Sequence, residues 1–172
     1  MKYKQIWFGV LALLLFFSQF AIDNSLGFLD GKVNLILVAL IVMINLADFS
    51  WAVAFAVGAG LLLDVYSGLP FGIITLSLFL TAACCGLLFI NFFTNFSFYS
   101  LLILGLLAAI IYHLILSLLV VVAYFIGLSD FLPRLADFFG LVWQIVSTEI
   151  LLVAAYGLIN YKSRSFKPIF LK

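Results

Sequence analysis

"VNLILVALIVMINLADFSWAVAFAVGAGLLL", residues 33–63, is the stretch on which the fold turns. As one helix it would run about 46 Å at about 1.5 Å per residue, against a bilayer hydrocarbon core of about 30 Å. The apolar run is interrupted only by "NLADFSW" (residues 45–51), where Asn45, Asp48 and Ser50 are turn formers and helix N-cap residues. The stretch therefore reads as a helical hairpin with arms at 33–46 and 50–66. Its first arm is short enough to tilt or to be partly re-entrant.

The rest of the chain supports a membrane reading of that hairpin. Of 172 residues, 67% are hydrophobic and only 9% are charged, with a mean hydropathy of +1.37. A soluble domain carries about a quarter charged residues, so this surface cannot face water. Further apolar runs at 6–22, 71–90, 98–126 and 138–161 bring the count to six transmembrane helices in one all-α bundle, with nothing left for a soluble domain. The breaks between them are rich in turn residues: "DNSLGFLDGK" (23–32), "SGLPFG" (67–72), "NFFTNFS" (91–97) and "GLSDFLPRLAD" (127–137). "MKYKQIWFGVLALLLFFSQF" begins like a secretory signal. Its apolar run exceeds the about 7–15 residues of a signal core and no A-x-A-like site follows, so it reads as a retained first helix.

Charge placement orients the bundle. Lys2 and Lys4 precede the first span, and Lys162, Arg164, Lys167 and Lys172 follow the last, leaving Lys32 and Arg134 for the intervening loops. The positive-inside rule then puts both termini in the cytoplasm, which requires an even number of spans. The net charge of +1 points neither to nucleic acid nor to an acidic substrate.

One carboxylate sits awkwardly in this scheme. Asp64 closes the hairpin's second arm, and a negative charge at a helix C-terminus faces the negative end of the helix dipole. The free N–H groups opening the next helix, brought close by "SGLPFG", are the compensating partners the sequence offers. Contact with a protein partner or a ligand is the other reading of an acid at this depth. If capping is its role, an asparagine at 64 should serve nearly as well as the aspartate, because its amide oxygen still accepts. Upstream, Ala54/Gly58 and Ala56/Gly60 form two overlapping pairs of small residues, a spacing that lets membrane helices approach closely.

"GAGLLLDVYSGLPFGIITLSLFL" (58–80) resembles the signature of the bacterial rod-shape-determining MreD family, a G-x-x-x-D-x-x-S-G-x-x-x-G stretch. The match falls on Gly60, Asp64, Ser67, Gly68 and Gly72. In the preceding arm Asn34 matches the asparagine of the family's Pro-Asn pair, with Val33 where the proline stands. The resemblance implies a multi-pass protein of the cytoplasmic membrane with six spans, similar in fold to the substrate-binding (S) components of transporters. It also implies a non-enzymatic scaffold that binds the bitopic MreC protein. Such a scaffold helps couple the MreB cytoskeletal filament, and other membrane proteins of the elongation machinery, to peptidoglycan synthesis.

Other polar residues carry less. Glu149 falls mid-way along the last span and His113 mid-way along the fifth, with Ser117 one turn on. An exposed charge there would cost several kcal/mol. A protonated Glu149 hydrogen-bonded inside the bundle and a Glu149–His113 contact are both open. Thr75, Ser77 and Thr81 are expected to bond their own helix backbone. Cys84 and Cys85 read as small packed residues, not as a disulfide or metal site. Tyr3, Trp7, Tyr161 and Phe166 suit interfacial anchors. No catalytic constellation, phosphate loop or metal-ligand cluster appears, and no cofactor is implied. The alternative is a binding subunit of an energy-coupling-factor vitamin or small-molecule importer, with Glu149, His113 and Gln144 lining a ligand cavity. A third reading is a bundle that serves oligomerisation alone, such as a homodimer.

Overall fold

The computed structural model describes residues 18–19, 34–46, 49–92, 98–128 and 138–165, with side chains omitted for 46, 138, 139, 141 and 158–165. Among these residues the regular structure is entirely helical, with no strand. Ser18 and Gln19 are helical; the remainder of the expected 6–22 span, the 23–32 and 129–137 loop positions and the basic tail beyond 165 lie outside the described residues. Five helices follow: α1 Leu35–Leu46, α2 Phe49–Tyr66, α3 Ile73–Phe92, α4 Phe98–Phe125 and α5 Phe138–Ser165.

α1 ends at Leu46 and α2 begins at Phe49, within the stretch that carries the turn residues, so the two arms are separate helices and not one long rod. The first arm has 12 residues, about 18 Å of rise, shorter than a hydrocarbon core of about 30 Å. Among the described residues, three helices are long and apolar enough to span a bilayer, α2, α3 and α4, while the apolar stretches Leu35–Asn45 of α1 and Val142–Gly157 of α5 are shorter. The short arm expected over 33–46 is present as α1, Leu35–Leu46. This arm is an interior element.

α1 occupies the centre of the bundle and packs against α2, α3, α4 and α5. Leu37 and Ile41 are fully buried, and Ile36, Val38, Leu40, Met43, Ile44 and Asn45 are buried around them. A helix enclosed on every side needs no polar face, which is why LILVALIVMINL is apolar all round. Its N-terminus is closed by side chains. Asn34 Oδ1 accepts from the Leu37 amide (2.9 Å) and Gln19 Oε1 accepts from the Leu35 amide (2.8 Å). Both satisfy donors that a helix leaves free in its first turn.

α2 and α3 form the tightest pair. At Gly60 a Cβ would lie 2.6 Å from the Thr75 Cα, so the backbones meet there and only glycine fits. Ala56 and Gly60 are buried in this contact, whereas Ala54 and Gly58 are exposed, with open space around Gly58. Of the two small-residue pairs, one packs within the chain and the other faces outward. The α4–α5 pair is fixed by Gly105 lying under Leu152 and Glu149, and by the Phe98 ring 5.1 Å from that of Tyr156. Consecutive helices alternate in direction, so α1 runs antiparallel to α4 and parallel to α5.

Candidate functional site

The residues between α2 and α3 converge on Asp64. The helix ends through Ser67, whose amide donates to the Leu63 carbonyl (2.9 Å) and whose hydroxyl donates to the Asp64 carbonyl (3.3 Å). Gly68 sits in the open turn, and Pro70 accepts from the Ile73 amide (3.3 Å). Gly72 adopts φ +97°, a left-handed conformation that a side chain disfavours. Its carbonyl then accepts from Leu76 (2.9 Å), which starts α3.

This turn aims the first amides of α3 back at Asp64. Oδ1 accepts from the Ile74 amide (2.9 Å), and Oδ2 accepts from the Thr75 amide (3.1 Å) and the Thr75 hydroxyl (2.5 Å). Asp64 is 4% exposed, so both oxygens are spent inside the protein. A charge at the unfavourable end of α2 thus rests at the favourable, positive end of α3. Thr75 differs from the sequence expectation, since its hydroxyl serves Asp64. Ser77 and Thr81 do bond their own helix, to Ile73 and Ser77 carbonyls (2.7 Å each).

Two further side chains reach the same pole. The Tyr112 hydroxyl of α4 lies near the Asn34 side chain and within electrostatic reach of Asp64. Tyr112 is buried. The sequence motif on Gly60, Asp64, Ser67, Gly68 and Gly72 and the separate Asn34 therefore meet in one polar knot, which α4 closes through a tyrosine that sequence reading passed over. A lone tyrosine in an apolar helix gave no local signal; only the turn opposite it explains its place.

The second group of candidates is dispersed. Glu149 lies against Gly105, where a Cβ would come 2.8 Å from its Oε1. His113 is eight residues further along α4, about 12 Å of helix rise, and the Glu149–His113 contact is not formed. The His113 carbonyl accepts from Ser117 (2.7 Å). Gln144 is buried on α5, and its carbonyl accepts from Ser147 (3.0 Å). Five residues separate Gln144 from Glu149, placing them about 140° apart around the helix. They do not line one cavity with His113.

Cys85 is buried and Cys84 is exposed, both as free thiols. Among the described residues, no group of three or more His, Cys, Asp or Glu side chains is placed to hold a metal ion. Comparison with family models, with curated proteins and with solved structures returns no match for this chain.

Proposed function

We infer that the protein is a non-enzymatic membrane scaffold of the bacterial elongation machinery, of the MreD type, acting through helix packing and not through turnover. The observation that carries this reading is the Asp64 knot. Four of the five residues of the G-x-x-x-D-x-x-S-G-x-x-x-G resemblance have a structural task there: close approach at Gly60, capping at Asp64, and turn geometry at Ser67 and Gly72. A motif built for holding two helices rigidly together suits a protein that presents a fixed intramembrane surface. In this reading the chain sits in the cytoplasmic membrane with both termini inside and six spans, and it binds MreC. That contact links MreB filaments and other elongation proteins to wall synthesis.

The importer-subunit reading asks Glu149, His113 and Gln144 to share a cavity, and their separation along and around α4 and α5 argues against it. Scaffold function is tested by expressing the chain in a rod-shaped bacterium depleted of its own MreD, together with an MreC protein from this protein's own organism. Rod shape and co-purification with MreC are the expected results. Accumulation in the membrane without either would overturn the reading. Reporter fusions at Lys172 and in the 128–137 loop test the topology, and a C-terminus outside the cytoplasm would contradict six spans.

A further inference from the structure

Glu149 is the only glutamate of the chain and stands in the middle of an apolar stretch, seven residues from Val142 and eight from Gly157. About 10–12 Å of apolar helix therefore separates it from either end of that stretch. Its Oε1 is buried and has no hydrogen-bond partner. What it meets is Gly105 of α4, which offers no side chain. Among the described residues Glu149 has no ion pair and no other hydrogen bond either.

The side chain is not sealed in. Glu149 is half-buried, and Val146 and Val153, three residues before it and four after it on the same face of α5, are exposed. On its other flank Leu152 is fully buried against Gly105. Glu149 thus stands at the edge of the α4–α5 seam, with one oxygen inside the contact and the side chain open to the outer face of the bundle. Asp64 has three donors to hold its charge. Glu149 has neither a donor nor a cation, and a carboxylate without them is poorly tolerated in hydrocarbon. The neutral acid is the form that such surroundings accept.

We propose that Glu149 is a carboxylic acid of the bilayer interior, open to lipid, and a modification site for hydrophobic carbodiimides. In the reaction the acid proton passes to one carbodiimide nitrogen while the carboxyl oxygen bonds to the central carbon, giving an O-acylisourea. The acyl group then moves from that oxygen to the adjacent nitrogen. The product is a stable N-acylurea that keeps every atom of both reactants, so no further reagent is consumed. The site requires only that α5 lie in the bilayer, and it does not depend on which partners the bundle has.

The intact chain in bilayer nanodiscs, at neutral pH, is treated with N,N′-dicyclohexylcarbodiimide or with a water-soluble cationic carbodiimide, and adducts are located by peptide mass spectrometry. The hydrophobic reagent should modify Glu149 severalfold faster than it modifies Asp64, whose oxygens are occupied and buried. It should also modify Glu149 severalfold faster than the water-soluble reagent does. No adduct at Glu149 with the hydrophobic reagent would overturn the proposal, because the carboxyl would then be ionised or closed off from lipid. Equal modification by the two reagents would place Glu149 in water and would equally overturn it. Neither of these results would touch the scaffold reading, which makes no use of Glu149.

Discussion

The two polar regions of this bundle handle the same problem in opposite ways. At the α2–α3 pole, Asp64, Thr75, Asn34 and Gln19 bond one another or backbone amides, and the carboxylate takes three donors. On α1, α4 and α5, Asn45, Ser100, Thr148 and Glu149 each keep an atom without a protein partner. A carboxylate with matched donors locks its neighbours in place, since removing it strands every one of them. Groups without matched partners lock nothing in place. The first region reads as the rigid joint of the structure, the second as its adaptable part.

The largest expected effect falls on the joint. Gly60→Leu drives a side chain into the Thr75 backbone, which cannot retreat without leaving Asp64. A loss of about 3 kcal/mol or more is expected, at the upper end for overpacking. Thermal unfolding in detergent and the level of membrane-inserted protein would report it. Gly58→Leu, two residues away but facing open space, should leave both unchanged. If Gly58→Leu instead spares folding but abolishes MreC co-purification, that outward small-residue face belongs to a partner interface.

A smaller effect is expected at the seam. Gly105→Ala meets the ends of the Leu152 and Glu149 side chains, which can swing aside, so it should cost about 1 kcal/mol, at the low end for overpacking. Melting temperatures of Gly105→Ala and Gly60→Ala compare the two regions with the same chemical change. Equal losses would erase the distinction between rigid joint and adaptable seam. The smallest effect is expected for Thr148→Val alone. Its hydroxyl has no protein partner to lose, and stability should change by less than about 1 kcal/mol. A clear gain in stability would mark that hydroxyl as dry and unsatisfied.

The joint was largely legible in the sequence because its signals are local. Asn45, Asp48 and Ser50 mark the hairpin break, and "SGLPFG" brings α3 amides to a carboxylate a few residues earlier. What stayed hidden depends on tertiary position. In helices apolar all round, polarity does not mark the inner face, so nothing in LILVALIVMINL announces that α1 is the central element. The same uniformity hid which of Ala54/Gly58 and Ala56/Gly60 packs, and allowed Glu149 and His113 to be paired on depth alone. Their actual separation follows from a register set by Gly105, a residue with no polar signal. The expected tolerance of asparagine at 64 also needs revision. The carboxylate uses both oxygens, and an asparagine keeps only one acceptor for them.

The central claim, that Asp64 is a structural cap, is tested most directly by comparing Asp64→Asn with Asp64→Leu for folded membrane level and rod-shape rescue together. Leucine strands the Ile74 amide, the Thr75 amide and the Thr75 hydroxyl, at about 1–3 kcal/mol for each unsatisfied donor. Asparagine strands about one of them, so its stability should fall between that of the unmodified chain and that of leucine. Shape rescue should fall in proportion to folded protein for both variants. An Asp64→Asn protein that reaches the membrane at normal level and stability yet fails to restore rod shape would contradict the account, and would assign the Asp64 charge to a binding partner.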